Sequence, residues 1–233
     1  MAEPRDGTVL DELGVLATVV HALIVEYLTV ECALGHDLDA ADGGPTTDRC
    51  RDAASAAGSL AVNEMFQFKA INQVLVDEGR EARFDRADLI DGVSLTPPDR
   101  PALEHLLARE LAIATAVDAA FARLPADWLA RIGADGRSRV ADLASLRAAL
   151  TDAPHTEFLR ADRRTAADDA EQRLLDMNDR IYTIVLTALR GALDPVIGAD
   201  GTLRLIATSS MNVLNDANRL LVRQHLLPPF PSV

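Results

Sequence analysis

Residues 13 to 34, LGVLATVVHALIVEYLTVECAL, form one apolar run interrupted only by His21, Glu26 and Glu31 as imidazole or carboxylate groups. A stretch this long, apolar nearly all round, is either a helix at the centre of a bundle or a membrane span. Its flanks carry Asp11 and Glu12 on one side and Asp37 and Asp39 on the other, so there is no positive-inside signal. A glutamate in mid-span would also be expensive in lipid. The run is therefore expected to be a central bundle helix, with no membrane as partner. Glu26 then poses a problem. An uncompensated carboxylate in a dry interior costs several kcal/mol or is driven neutral, and Tyr27 is the only polar tip beside it. Something has to compensate Glu26.

The chain of 233 residues, 48% hydrophobic and 25% charged, suits a single domain spanning residues 1–233. A net charge of −13 lacks the cationic surplus that phosphate backbones attract, so nucleic acid is not expected as a partner. Cys32 and Cys50 show no metal-type spacing, and MAEPRDGTVLDELG lacks the basic start of a signal peptide. A reducing, cytoplasmic setting follows as the expectation.

Apolar residues recur at three- and four-residue spacing through most of the chain, so the fold class expected is all-α. The first helix is placed at about Leu10 to Leu34. The second is DAASAAGSLAVNEMFQFKAINQVLVDEG, stopped by Gly79, and the third is ALEHLLARELAIATAVDAAFARL. DLIDGVSLTPPDRP between them is expected to be a plain connection. One short helix, RVADLASLRAAL, falls between Pro125 and about Pro154; the fourth long helix covers about Thr165 to Leu193. The fifth, TLRLIATSSMNVLNDANRLLVRQHL, ends at the double proline.

Three of these helices carry a glutamate among apolar neighbours at helical spacing. Glu26 shares its face with Leu23, Val30 and Ala33; Glu64 with Leu60, Phe68 and Ile71; Glu110 with Leu103, Leu106, Leu107, Ala114 and Val117. On the fourth helix the corresponding polar residue is Asn178. Three inward glutamates suggest a shared polar site, compensated by metal or by shared protons and hydrogen bonds. Against this stands a plainer reading, in which Glu110 lies at a solvated edge beside Arg109. His21, His36, His105, His155 and His225 are scattered, without the i, i+3 or i, i+4 pairing of a helical metal site. Phosphate-loop, dinucleotide and nucleophile-elbow motifs are missing from the sequence.

LATVVHALIVEYLTVECAL, LAVNEMFQFKAINQVLVDEG, LEHLLARELA, SRVADLASLRAAL, MNDRIYTIVLTALRGAL and ATSSMNVLNDANRLLVR together resemble, in order and spacing, the ferritin-like domain of the violacein-type iminophenyl-pyruvate dimer synthase family. The resemblance implies a ferritin-like four-helix bundle with an added short helix and a C-terminal helix. In that family Glu-His on the first helix and Glu-x-x-His on the second belong to a metal site. Glu26 and Glu64 match the two glutamates and Glu110 an acidic position on the third helix, but Tyr27 and Gln67 stand where the histidines would be. Phenol and amide oxygens are poorer iron ligands than imidazole.

Three functions follow as expectations. The first is a biosynthetic enzyme with a degenerate metal site, using Glu26, Glu64 and Tyr27 for acid-base chemistry, a cyclisation or rearrangement of a small organic substrate. Gln67, Asn178, Phe68 and Tyr182 would bind that substrate, with Met65 and Phe66 as further wall candidates; alternatively, Gln67 and Asn178 bond each other across the bundle. The second is an oxidase or oxygenase holding atypical iron or manganese on Glu26, Glu64 and Glu110. The third is a non-catalytic bundle that partners another biosynthetic protein, itself a homodimer through the last helix.

Overall fold

The computed structural model describes residues 7–34, 45–95, 103–134, 136–150, 165–194, 196–198 and 201–230. His36 and His155 lie outside these, and so do the side chains of His105, Leu103, Leu106 and Leu107. The described elements are α1 (Gly7–Leu34), α2 (Pro45–Asp77), β1 (Leu89–Ile90), β2 (Val93–Ser94), α3 (Leu103–Phe121), α4 (Ala126–Arg131), α5 (Arg139–Asp142), α6 (Ala144–Leu150), α7 (Asp169–Leu193) and α8 (Thr202–Arg223). The expectation of a helical chain holds.

α1 is buried as its composition demands: from Leu16 to Leu34 every residue is buried except the half-buried Thr18 and Glu31. It is long and apolar enough to cross a membrane, but that surface is covered by the other helices. α2 runs antiparallel along it, since Arg80 just beyond α2 reaches Asp11, Phe68 stacks on His21 and Gly58 abuts Glu31. The buried stripe of α2 begins with Ala53, Ala54, Ala57 and Ala61, small residues that let the two helices approach closely. α7 and α8 form a second antiparallel pair, with Asn178 opposite Asn218 and Gly191 opposite Leu203.

The short elements differ from the sequence expectation. The connection after α2 folds back as a hairpin, with Leu89 opposite Ser94 and Ile90 opposite Val93. Its turn is Asp91-Gly92, both at positive φ, the backbone that suits a two-residue hairpin. The single short helix expected after Pro125 is three. α4 comes first, and α5 and α6 are separated at Leu143; the Ser138 hydroxyl caps α5 by accepting the Ala141 N–H. α7 starts at Asp169 because the Asp168 carboxylate caps Ala170 and Glu171 at 2.8 and 2.9 Å. α8 stops at Arg223, short of the double proline, where His225 takes a positive φ.

Candidate functional site

The three glutamates are all buried with no exposed surface. Glu26 on α1 is gripped at both oxygens by Arg109 of α3: Nη1 donates to Oε1, and Nη2 donates to Oε2 at 3.2 Å. The same guanidinium donates to Glu110 Oε1 at 3.1 Å and to the Ser94 carbonyl of the hairpin at 3.1 Å. Glu64 on α2 is gripped by two arginines from the segment after α4. Arg137 Nη2 reaches Oε1 at 2.8 Å, and Arg139 spans both oxygens at 3.1 and 3.0 Å. Arg139, itself 2% exposed, also donates to Gln67 Oε1, pairs with Asp118 at 3.4 Å and lies 4.2 Å over the Phe121 ring. What compensates the inward glutamates is therefore guanidinium, a group that long flexible stems deliver to a buried carboxylate in a fork of matching geometry.

Glu110 is the odd member. Its Oε2 meets no donor among the described residues. Burial, then the charge of Glu26, pushes its pKa well above the ordinary 4.5, with Arg109 opposing. A proton on Glu110 turns it into a donor that Glu26 can accept. Tyr27 stands between the two groups of charges. Burial raises its phenol well above the usual value, and the carboxylates of Glu110 and Glu64 push the same way. The solvated edge considered for Glu110 is corrected: Arg109 does pair with it, but Glu110 itself is fully buried and the same guanidinium reaches across to Glu26 of α1.

The structure thus gathers Glu26, Tyr27, Glu64, Gln67 and Glu110, and places the other expected residues elsewhere. Asn178 and Gln67 do not bond each other: Asn178 donates to Asn218 at 2.6 Å, and Gln67 serves Arg139 and the Gly133 carbonyl. Phe68 and Tyr182 belong to an aromatic core around His21. His21 Nε2 lies 2.6 Å from the Tyr182 hydroxyl and Nδ1 lies 3.3 Å from the Asp85 carbonyl. Burial lowers the His21 pKa to about 4 and raises that of Tyr182. Phe66 is 71% exposed and walls no interior space, while Met65 is half-buried against the core. Sequence reasoning missed Arg137, Arg139 and Asp118. The signal for the arginines was GRSRV, two cations at the start of a short helix with glycine behind them.

Among the described residues two hollows stand out, and neither is lined by Glu26, Glu64 or Glu110. One of about 20 Å³ lies by Cys32 and Asn218, and a trough of about 620 Å³ lies along the first half of α1. An iron or manganese pair on Glu26, Glu64 and Glu110 does not fit this arrangement. The oxygens of Glu26 and Glu64 are occupied by arginine donors, and among the described residues no group of three His, Cys, Asp or Glu is placed to hold a metal ion. No family model, no curated protein and no solved structure matches the chain.

Proposed function

We propose that the chain is a metal-independent enzyme of natural-product biosynthesis on a ferritin-like bundle, using Glu110, Glu26 and Tyr27 for acid-base chemistry on a small organic substrate. The observation that carries this is Glu110: fully buried, with Oε2 lacking a donor, and close enough to Glu26 to share a proton. Buried ion networks are weak stabilisers, often no better than apolar replacements. Displaced titrations gather at reacting sites, although structural ion-pair networks displace them too. In this reading Glu110 gives its proton to one atom of the substrate, guanidinium-bound Glu26 takes a proton from another, transfer between the two neighbouring carboxyls restores both, and the Tyr27 hydroxyl orients the substrate. Glu64 changes role from catalytic to positioning, since both its oxygens hold Arg137 and Arg139 in place. Access would run past Arg109 and Arg137, which at 21% and 15% exposed lead from the cluster towards solvent. A cyclisation or rearrangement in the cytoplasm suits such a site.

The test is genetic complementation in the native host with untargeted metabolite profiling. The Glu110→Gln variant, shown folded by circular dichroism, should leave the product missing and a precursor accumulated. Full restoration of the product by that variant would defeat the acid-base reading.

A second reading, the non-catalytic homodimer, is favoured by a separate observation. Ile206, Val213 and Leu220, each seven residues apart, are exposed along α8, and Met177 and Ile184 repeat that spacing on α7. Sedimentation equilibrium should then show a dimer that Val213→Glu dissociates; a wild-type monomer throughout would remove this reading.

A further inference from the structure

We infer that the trough beside the first half of α1 is a binding site for an α-amino-acid-like zwitterion with an aliphatic side chain. Its volume of about 620 Å³ falls within the range of small-molecule sites. Its apolar lining is Leu10, Leu75 and Val15, the last 61% exposed although it belongs to the most apolar helix of the chain.

The opposite wall is the segment that follows α2. Residues 81 to 85, EARFD, alternate: Glu81, Arg83 and Asp85 are exposed and line the trough, while Phe84 is buried and Ala82 packs against the core. An extended backbone of period two puts the three charged residues on one side. That backbone is pinned at three points. Asn72, fully buried, accepts the Arg83 N–H at 2.6 Å; His21, 2% exposed, meets the Asp85 carbonyl at 3.3 Å; and the Thr18 carbonyl accepts the Ala87 N–H at 3.1 Å. Two buried polar side chains are thus committed to fixing an exposed loop, the way binding loops are held on a rigid scaffold.

Of the charges along the wall, those of Glu81, Arg83 and Asp85 are left for a ligand. Arg80 is engaged with Asp11 at 3.2 Å, but the Arg83 guanidinium forms no hydrogen bond or ion pair among the described residues. Its stem lies over Gly14, where an added Cβ would come within 3.8 Å of Nε. Neither the Glu81 nor the Asp85 carboxylate accepts a hydrogen bond among the described residues. A planar guanidinium takes a carboxylate in a fork, and a carboxylate two residues along takes an ammonium. A ligand bearing both groups, with an aliphatic chain to cover Val15 and its neighbours, satisfies all three features of the trough.

The experiment is a titration of the ¹⁵N-labelled chain with L-leucine, followed through the amides of Gly14, Gly79 and Arg83. In parallel run 4-methylpentanoate, which lacks the ammonium, and 3-methylbutylamine, which lacks the carboxylate. Leucine should bind at least about tenfold more tightly than either, and Arg83→Gln should weaken it by a similar factor while its other resonances stay in place. Three results would each overturn the inference: no amide shift at about 10 mM leucine, equal shifts with all three compounds, or unchanged leucine binding by Arg83→Gln.

Discussion

Arg139→Met tests whether guanidinium is what makes the buried glutamates tolerable. Arg139 contacts both oxygens of Glu64, a side chain only 1% exposed. Removing one partner of a buried ion pair costs about 3–5 kcal/mol, because the other is left charged in the interior. Arg137 still reaches Oε1 at 2.8 Å, which places the loss at the lower end, about 3 kcal/mol. Losing the cation over the Phe121 ring, 4.2 Å away, adds about 1 kcal/mol. Asp118, 22% exposed, can hydrate and adds little. The sum is about 4 kcal/mol, or about 8–16 °C in Tm for a chain of 233 residues. Urea unfolding followed by circular dichroism, with m-values compared, gives the measurement. The double variant Arg139→Met with Glu64→Met should recover most of the loss, because it removes both charges and fills the space with apolar groups. A single-variant loss under about 1 kcal/mol, or a double variant whose effect is the simple sum, would refute the reasoning.

Glu110 and His21 predict opposite pH trends. Glu110 is raised in the fold, so above about 4.5 the native state keeps a proton the unfolded chain has lost, and stability falls as pH rises towards the folded value, by at most about 1.4 kcal/mol per unit. Glu110→Gln should remove that slope in urea midpoints measured against pH; an unchanged slope would contradict it. His21 is lowered from 6.5 to about 4, so its contribution is complete above 6.5 and is lost as pH falls through that window, up to about 3 kcal/mol. His21→Gln should show a shallower acid decline between those values, and an equal decline would exclude the assignment. Two glycines separate backbone clash from side-chain clash. At Gly198 an added Cβ would sit 2.4 Å from the Ala192 carbonyl oxygen, so Gly198→Ala should cost about 2 kcal/mol in thermal melts. At Gly58 the 2.7 Å neighbour is the Glu31 carboxylate, which can swing aside, so Gly58→Ala should be neutral or stabilising.

The long elements were legible because they rest on apolar periodicity. α1 has no polar face to offer, and a helix without one is a core helix; the same logic makes Glu26 an anomaly of the sequence itself. Glu64 and Glu110 follow from the same spacing, and all three are fully buried. The identity of the compensating group was not legible. Arg109 adjoins Glu110 in sequence and reads as its surface partner, yet its guanidinium turns to Glu26, distant in sequence. Arg137 lies in a connection and Arg139 at the first position of a four-residue helix, and nothing in their sequence neighbours says which buried carboxylate they will reach. Helix starts and stops differ by a few residues wherever a side-chain cap or a positive φ sets the boundary, as at Asp168 and His225.

Burial first, and then the balance of charge inside the cluster, favour a proton on Glu110. Arg109, Arg137 and Arg139 supply three positive charges, and Glu26, Glu64, Asp118 and the 31% exposed Asp142 stand in direct contact with them. Glu110 shares Arg109 with Glu26 and has no cation of its own. A further buried carboxylate without a counter-charge of its own reaches neutrality most cheaply by protonation. Replacing Glu26 should therefore act on Glu110. In Glu26→Gln the repelling charge is gone and Arg109 belongs to Glu110 alone, so the Glu110 pKa should fall, though burial keeps it above 4.5. Infrared difference titration of the carboxylic-acid C=O band, with Glu110→Gln as the blank, reads this directly. The band should vanish at lower pH in Glu26→Gln than in the wild type. Disappearance at the same or higher pH would mean that burial alone sets the proton on Glu110, and that the two carboxyls do not act as a pair.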